Sequence, residues 1–379
     1  TGSVVLSNTD ISGFNTAASA AAPVQSVNGQ TGNVTVNVPV QSVAGRTGNV
    51  TLNVADVTGA AAPPTYSTWT QGTLPVSANW SPIIYANGLF VAVTTNAAIT
   101  SPDGITWTQR TLPTGTWTNV VYANNKFIAV ENNANSIWAT STDGITWTSA
   151  AIPFTGSGII LYGAGTFILP WGYGGNLTWV SADGVAWTMG SLAVNVQTGG
   201  SSRFVNNRFF LFATLYPAST SLDGSNWTNL SLTGMSAVAY GANVYVMVGS
   251  GYYNAVLTSP DGITWTSRAV PQPGGQNISF NSVEYGNGTF VAIASSLNYF
   301  ITSTDGINWT LRNLPANANA TSIAYNKGRF VGIKSGSNSF VTSVETLASI
   351  TDVPNSADIA SIALAVAPVQ SVKIGRAHV

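Results

Sequence analysis

Short apolar runs punctuate this chain, and each begins on an aromatic residue that has an aromatic partner five positions upstream. The run Phe90-Val91-Ala92-Val93 is apolar at successive positions, the pattern of a strand buried between neighbouring sheets. Its upstream partner is Tyr85, and Asn87-Gly88 lies between them. The same aromatic spacing joins Tyr122 to Phe127, Tyr162 to Phe167, Phe204 to Phe209, Tyr240 to Tyr245, Tyr285 to Phe290 and Tyr325 to Phe330. Asn and Gly tolerate the positive φ that a two-residue hairpin demands, so each pair predicts two strands and a tight turn. Seven such hairpins are predicted.

A second marker runs in phase with the first. Asp-Gly-x-x-Trp occurs six times, as Asp103 with Trp107, Asp143 with Trp147, Asp183 with Trp187, Asp223 with Trp227, Asp261 with Trp265 and Asp305 with Trp309. Successive Asp residues lie 40, 40, 40, 38 and 44 apart. A period near 40 built from strand-type residues predicts one small sheet per repeat. Trp69-Thr70 has no Asp box before it, while Phe340-Val341-Thr342-Ser343 resembles the strand before each box but has none after it. The two fragments complement one another, which predicts that the Trp69 strand closes a ring against the Val341 strand and leaves no free edges.

The expected fold is all-β: a seven-bladed β-propeller over residues 65–345, each blade carrying strands A to D outward from the axis. In the last blade, strand A is expected near Thr321 to Tyr325, B near Arg329 to Ile333, C at Phe340 to Ser343 and D at Ser67 to Gln71. Residues 1–64 form a separate expected module. There Val24-Gln25-Ser26-Val27-Asn28-Gly29 recurs 16 residues later from Val40, too little sequence to bury a core alone. Thr9-Asp10-Ile11 through Val27 returns as Thr351-Asp352-Val353 through Val372, so residues 346–373 read as the start of a second such module, cut short. Residues 374–379 resemble a translated sequencing adapter and are set aside; they contain His378, the single histidine.

Composition narrows the chemistry. Charged residues make up 7 % of 379 and the net charge is −1, so no basic field steers nucleic acid or an anionic membrane. Without Cys, neither disulfides nor thiolate metal sites enter. The apolar stretch 158–173 is broken by Gly163, Gly165 and Pro170, so membrane insertion is not expected.

Ser-x-Asp-Gly-x-x-Trp resembles the Asp box of sialidase-type and related propellers, in the variant with Asp directly before Gly. The flanking Val-Gln-Ser-Val-Asn-Gly-Gln-Thr-Gly-Asn-Val-Thr repeat resembles linker modules of bacteriophage tail fibres and receptor-binding tail proteins. That resemblance implies a homotrimeric fibre, other virion tail proteins as partners, an extracellular place on the phage tail and a distal surface that meets the host.

Asp residues in such turns accept backbone N–H bonds and fix the hairpin, with the following Trp buried against the next blade. All six boxes are therefore expected to be structural; single carboxylates in separate blades make poor calcium cages. A glycosidase would need two carboxylates about 5–10 Å apart. The ring offers Glu131 and Glu284, with Glu345 at its edge, and these fall at different strand positions in distant blades. Arg110, Arg268 and Arg312 sit on outer strands, away from the axis, where they cannot form a sialidase-like triad. No catalytic residue, metal or cofactor is expected, and the chain is read as a non-enzyme.

Binding remains. The A–B turns and Asp boxes share one expected face; the B–C and D–A loops occupy the other and vary among the copies. Variable loops on a rigid scaffold are where recognition sits. Candidate ligand residues there are Glu131, Asn133, Trp171, Tyr173, Tyr216, Tyr252, Tyr253 and Tyr299, aromatics among amides that suit a saccharide. The expected partner is a host-surface glycan or protein. A purely architectural spacer propeller is the alternative from another class, and a glycosidase the third.

Overall fold

The computed structural model describes residues 26–27, 30–31, 66–131, 137–151, 158–170, 177–192, 202–212, 216–250, 256–273, 277–294, 297–316, 318–326 and 328–343. Contacts divide the chain into a unit over Thr1–Ala60 and another over Ala61–Val379. In the first, Ser26–Val27 pairs antiparallel with Gln30–Thr31, with Asn28-Gly29 between them. The second is an all-β propeller.

Among the described residues its hydrogen-bonded sheets number six, five of four strands and one of six, which corrects the seven blades expected from the repeats. The cause is Thr108–Ala123, a single strand of 16 residues. Its first half pairs with Leu89–Ser101 and its second half with Lys126–Glu131, so the Tyr85 and Tyr122 hairpins share one wide sheet. The connection through Leu112 to Thr116 stays extended because neighbours satisfy its backbone. Gly115 N–H donates to Asn96 Oδ1 at 2.8 Å, and Thr116 N–H donates to Glu131 Oε1 at 2.9 Å.

All seven aromatic pairs are direct cross-strand neighbours, among them Tyr85 opposite Phe90 and Tyr325 opposite Phe330. Their ring centroids are 4.5–4.9 Å apart, as in Tyr162–Phe167 and Tyr122–Phe127. Asn124 and Asn125 have φ of 47° and 61°, Asn206 and Asn207 of 45° and 59°, both left-handed as a type I′ hairpin turn requires.

Burial explains the unbroken apolar runs. Phe90 and Ala92 enter one core cluster while Val91 and Val93 enter the next. Phe290 and Ala292 likewise face one core, Val291 and Ile293 another. Each second strand is thus sandwiched between two interfaces, and both side-chain parities must be apolar.

The ring shuts where its ends meet. Ser337–Ser343 pairs antiparallel with Trp69–Ala78, placing Val341 opposite Gln71 and Ser343 opposite Trp69. Trp69 packs edge-on to Phe300 at 5.1 Å and donates its indole N–H to Tyr66 O. Side chains also seal the inner seams. Ser322 Oγ accepts from Ile83 N–H, Ser282 Oγ from Ile323 N–H and Asn119 Oδ1 from Ile160 N–H, at 3.0, 3.2 and 3.2 Å.

Candidate functional site

The six Asp boxes have one geometry. Asp103 Oδ1 accepts from the N–H groups of Ile105 and Thr106, both at 2.8 Å, and from Ser101 Oγ–H at 2.9 Å. Ser101 Oγ in turn accepts from Gly104 N–H at 2.8 Å. The same set recurs at Asp143, Asp183, Asp223, Asp261 and Asp305. These bonds hold the carboxylates ionised. At Asp261, donation from Thr264 and Ile263 N–H holds the pKa at about 2. At Asp103 and Asp305 burial opposes the shift, but the combined hydrogen bonds prevail and both stand at about 2. Asp143, Asp183 and Asp223 are also depressed, chiefly by N–H donation from Thr146, Val185 and Asn226 respectively.

The serine two residues before each Asp was not given a role from sequence, yet it is buried in every box, from Ser101 at 0 % exposed to Ser141 and Ser303 at 4 %. Its position within a repeated Ser-x-Asp-Gly was the available clue. The Trp side chains divide. Trp147 and Trp309 are buried, whereas Trp107, Trp187, Trp227 and Trp265 keep an exposed edge. Trp147, Trp187, Trp227 and Trp309 donate Nε1–H to the Gly carbonyl of their own box. The box Gly has two reasons to be Gly. Gly104 has φ +72°, and a Cβ there would strike Val331 of the neighbouring sheet. Asn87 Nδ2 of the first hairpin turn donates to Thr142 O at 3.2 Å, joining an A–B turn to an Asp box.

Of the candidate ligand residues, Asn133, Trp171, Tyr173, Tyr252 and Tyr253 lie outside the described residues. Tyr216, in a bend before the strand Ser219–Ser221, and Tyr299, at the start of the strand Tyr299–Ser303, are partly exposed and pack against separate cores. Glu131 is 3 % exposed, with Oε1 committed to Thr116 N–H, so it braces the long strand from inside. Arg110, Arg268 and Arg312 each donate Nε–H to a threonine of the adjacent strand in their own sheet, at 3.1, 2.7 and 3.0 Å.

Sequence reasoning missed the axis. The inner strands enclose a cavity of about 490 Å³ whose lining includes Ile84, Val121, Arg203 and Glu284. Arg203, on Arg203–Val205, and Glu284, on Phe280–Gly286, are joined by an ion pair of 2.9 Å, with Met235–Gly241 between their strands. Arg203 Nη1 also donates to Val238 O at 3.2 Å. Glu284 Oε1 accepts from Tyr285 N–H at 3.2 Å. Among the described residues no group of three or more His, Cys, Asp or Glu side chains is placed to hold a metal.

No functionally curated protein matches the chain in sequence. The family described as the DUF6242 beta propeller domain matches residues 219–370. Similar solved structures include virginiamycin B lyase from Staphylococcus aureus, at 12 % identity and TM-score 0.61, covering 73 % of this chain and 99 % of that one. YCF48 bound to D1 peptide gives 16 % identity and TM-score 0.58 over 76 % and 98 %. The Neurospora crassa Pan2 WD40 domain gives 8 % and 0.56 over 76 % and 98 %. At these identities the likeness is one of fold alone, and a fold shared by a lyase and a peptide-bound protein does not select between catalysis and binding. The chain carries a β-propeller domain, and residues 219–370 of it match the DUF6242 propeller family.

Proposed function

We propose that this propeller is a non-enzymatic recognition module of a phage tail fibre or related tail appendage. It binds a host-surface receptor, a glycan before a protein, through the face of the B–C and D–A loops. The observation that carries this reading is the contrast between the two faces. On one, six Asp boxes spend their carboxylates and serines on their own turns in a single repeated pattern. Between strands B and C, by contrast, the connecting sequences differ in length and composition from repeat to repeat, and they carry Asn132-Asn133, Trp171 and Tyr173, Tyr216 and Tyr252-Tyr253, with Tyr299 at the end of one. Uniform turns leave little freedom for recognition, and varied loops supply it.

Against catalysis, Glu131 faces the backbone, Glu284 is paired with Arg203, and the outer arginines serve their own sheets. The repeats flanking the propeller support the fibre context, and trimerisation through them would give weak single sites avidity. Glycan-array binding by the whole chain is the test. Trp171→Ala combined with Tyr252→Ala should lower binding at least tenfold, while Val185→Ser on an Asp-box tip should leave it unchanged. Binding that survives the double change removes the loop face as the site. No binding to any host envelope fraction, with trimer assembly intact, would instead favour the architectural spacer.

A further inference from the structure

We propose that the axial cavity is a second binding site, for a small ligand bearing a carboxylate, with Arg203 as its anchor and Glu284 as the internal carboxylate it displaces. This does not depend on the loop face binding anything. The volume of about 490 Å³ lies within the range of about 300–1,000 Å³ typical of small-molecule sites. Ser282, Ser322 and Asn119 already accept hydrogen bonds that seal the seams between inner strands, and Ile84 and Val121 are apolar. Arg203 is the one cation among the lining residues, and Glu284 the one anion.

The pair is not a sealed structural bridge. The side chains of Arg203 and Glu284 keep 36 % and 18 % of their surface open. A partly exposed ion pair contributes little to stability, and a protein that is only 7 % charged has chosen to place one beside its axis. Guanidinium carries five donors in a planar fork. Val238 O and Glu284 Oε2 take two of them among the described residues, leaving donors for a ligand. Glu284 shows which anion this position suits, because its own carboxylate already sits at 2.9 Å from the fork. An incoming carboxylate would compete with it, since two anions on one cation repel.

That competition makes the test directional. Calorimetry on the whole chain would use glucuronate and N-acetylalanine as saccharide and peptide sources of carboxylate, with glucose and N-acetylalaninamide as uncharged controls. At least one carboxylate should bind and its control should not; which one binds identifies the source. Glu284→Gln removes the internal competitor and should tighten binding roughly tenfold. Arg203→Gln should weaken it at least tenfold, and Arg203→Lys, which keeps charge without the fork, should fall between. Matched melting curves verify folding of each variant. The proposal is overturned if neither carboxylate binds the wild type or Glu284→Gln, if controls bind equally, or if both single variants weaken binding alike.

Discussion

At the scale of single residues, the Asp box concentrates its chemistry in one carboxylate and one hydroxyl. The aspartates are held ionised mainly by N–H donors that exist only when the turn is folded, so their protonation is linked to folding. An unfolded Asp titrates at about 3.9, whereas Asp103, Asp261 and Asp305 stand at about 2 in the fold. As pH falls the unfolded chain takes up protons first, so the stabilisation is complete above about pH 4 and is lost on descent toward pH 2. The melting temperature should therefore drop steeply over that window, and Asp261→Asn should reduce the slope. A flat profile between pH 5 and pH 2.5 would contradict the linkage. The Asp and Trp positions were legible in the sequence because they recur. The serine's part was not, because nothing in one dimension says that its hydroxyl turns under the loop to meet Gly N–H.

Strands bring in a constraint invisible to any single repeat. At three places an inner-strand aromatic packs on the residue after the aromatic of the preceding inner strand, and there that residue must be Gly. A Cβ on Gly241 would meet the Tyr285 ring, one on Gly286 the Tyr325 ring, and one on Gly163 the Phe204 ring. Gly241 has no left-handed φ, so its requirement is one of space alone. Gly241→Ala should destabilise by about 1–3 kcal/mol through overpacking. Adding Tyr285→Ala should cost less than the sum of the two single changes, because they share one contact. Additive denaturation midpoints would show that the ring and the glycine are not coupled. The long strand Thr108–Ala123 teaches the same lesson in topology. Its connection contains Pro113 and Gly115, residue types that commonly interrupt strands, yet Asn96 and Glu131 supply partners that keep it extended.

For the whole molecule, closure joins chain segments far apart in sequence. Thr70 stands opposite Thr342, 272 residues away, and Thr70 Oγ1 donates to Thr342 O at 3.4 Å. Opposed residues in an antiparallel pair have Cα atoms about 4.5–5.5 Å apart, within disulfide reach. The chain contains no Cys to compete. Thr70→Cys with Thr342→Cys should therefore cross-link under mild oxidation, shift mobility on a non-reducing gel and raise stability, by roughly 5 kcal/mol in the chain-entropy limit. Failure to cross-link in the folded protein would mean that this seam does not hold the ring shut. The two faces and the axial cavity all depend on that closure, since an open row of sheets has no axis to line.

Local repetition alone specified the hairpins and their turns, though not how many sheets they would form. Aromatic pairs with Asn-Gly or its relatives between them specify hairpins, because strand pairing and positive φ are short-range matters. Apolar runs specify sheets covered on both sides, and the unmatched Trp69 and Val341 fragments specify each other. Tertiary structure decided what depends on which strands become neighbours. It merged two hairpin units into one six-stranded sheet, turned Glu131 inward, and set Arg203 beside Glu284 across an intervening strand. These are contacts between residues separated by 15 to 81 positions. Their energies depend on burial and distance in three dimensions, and neither quantity is written in a periodic pattern.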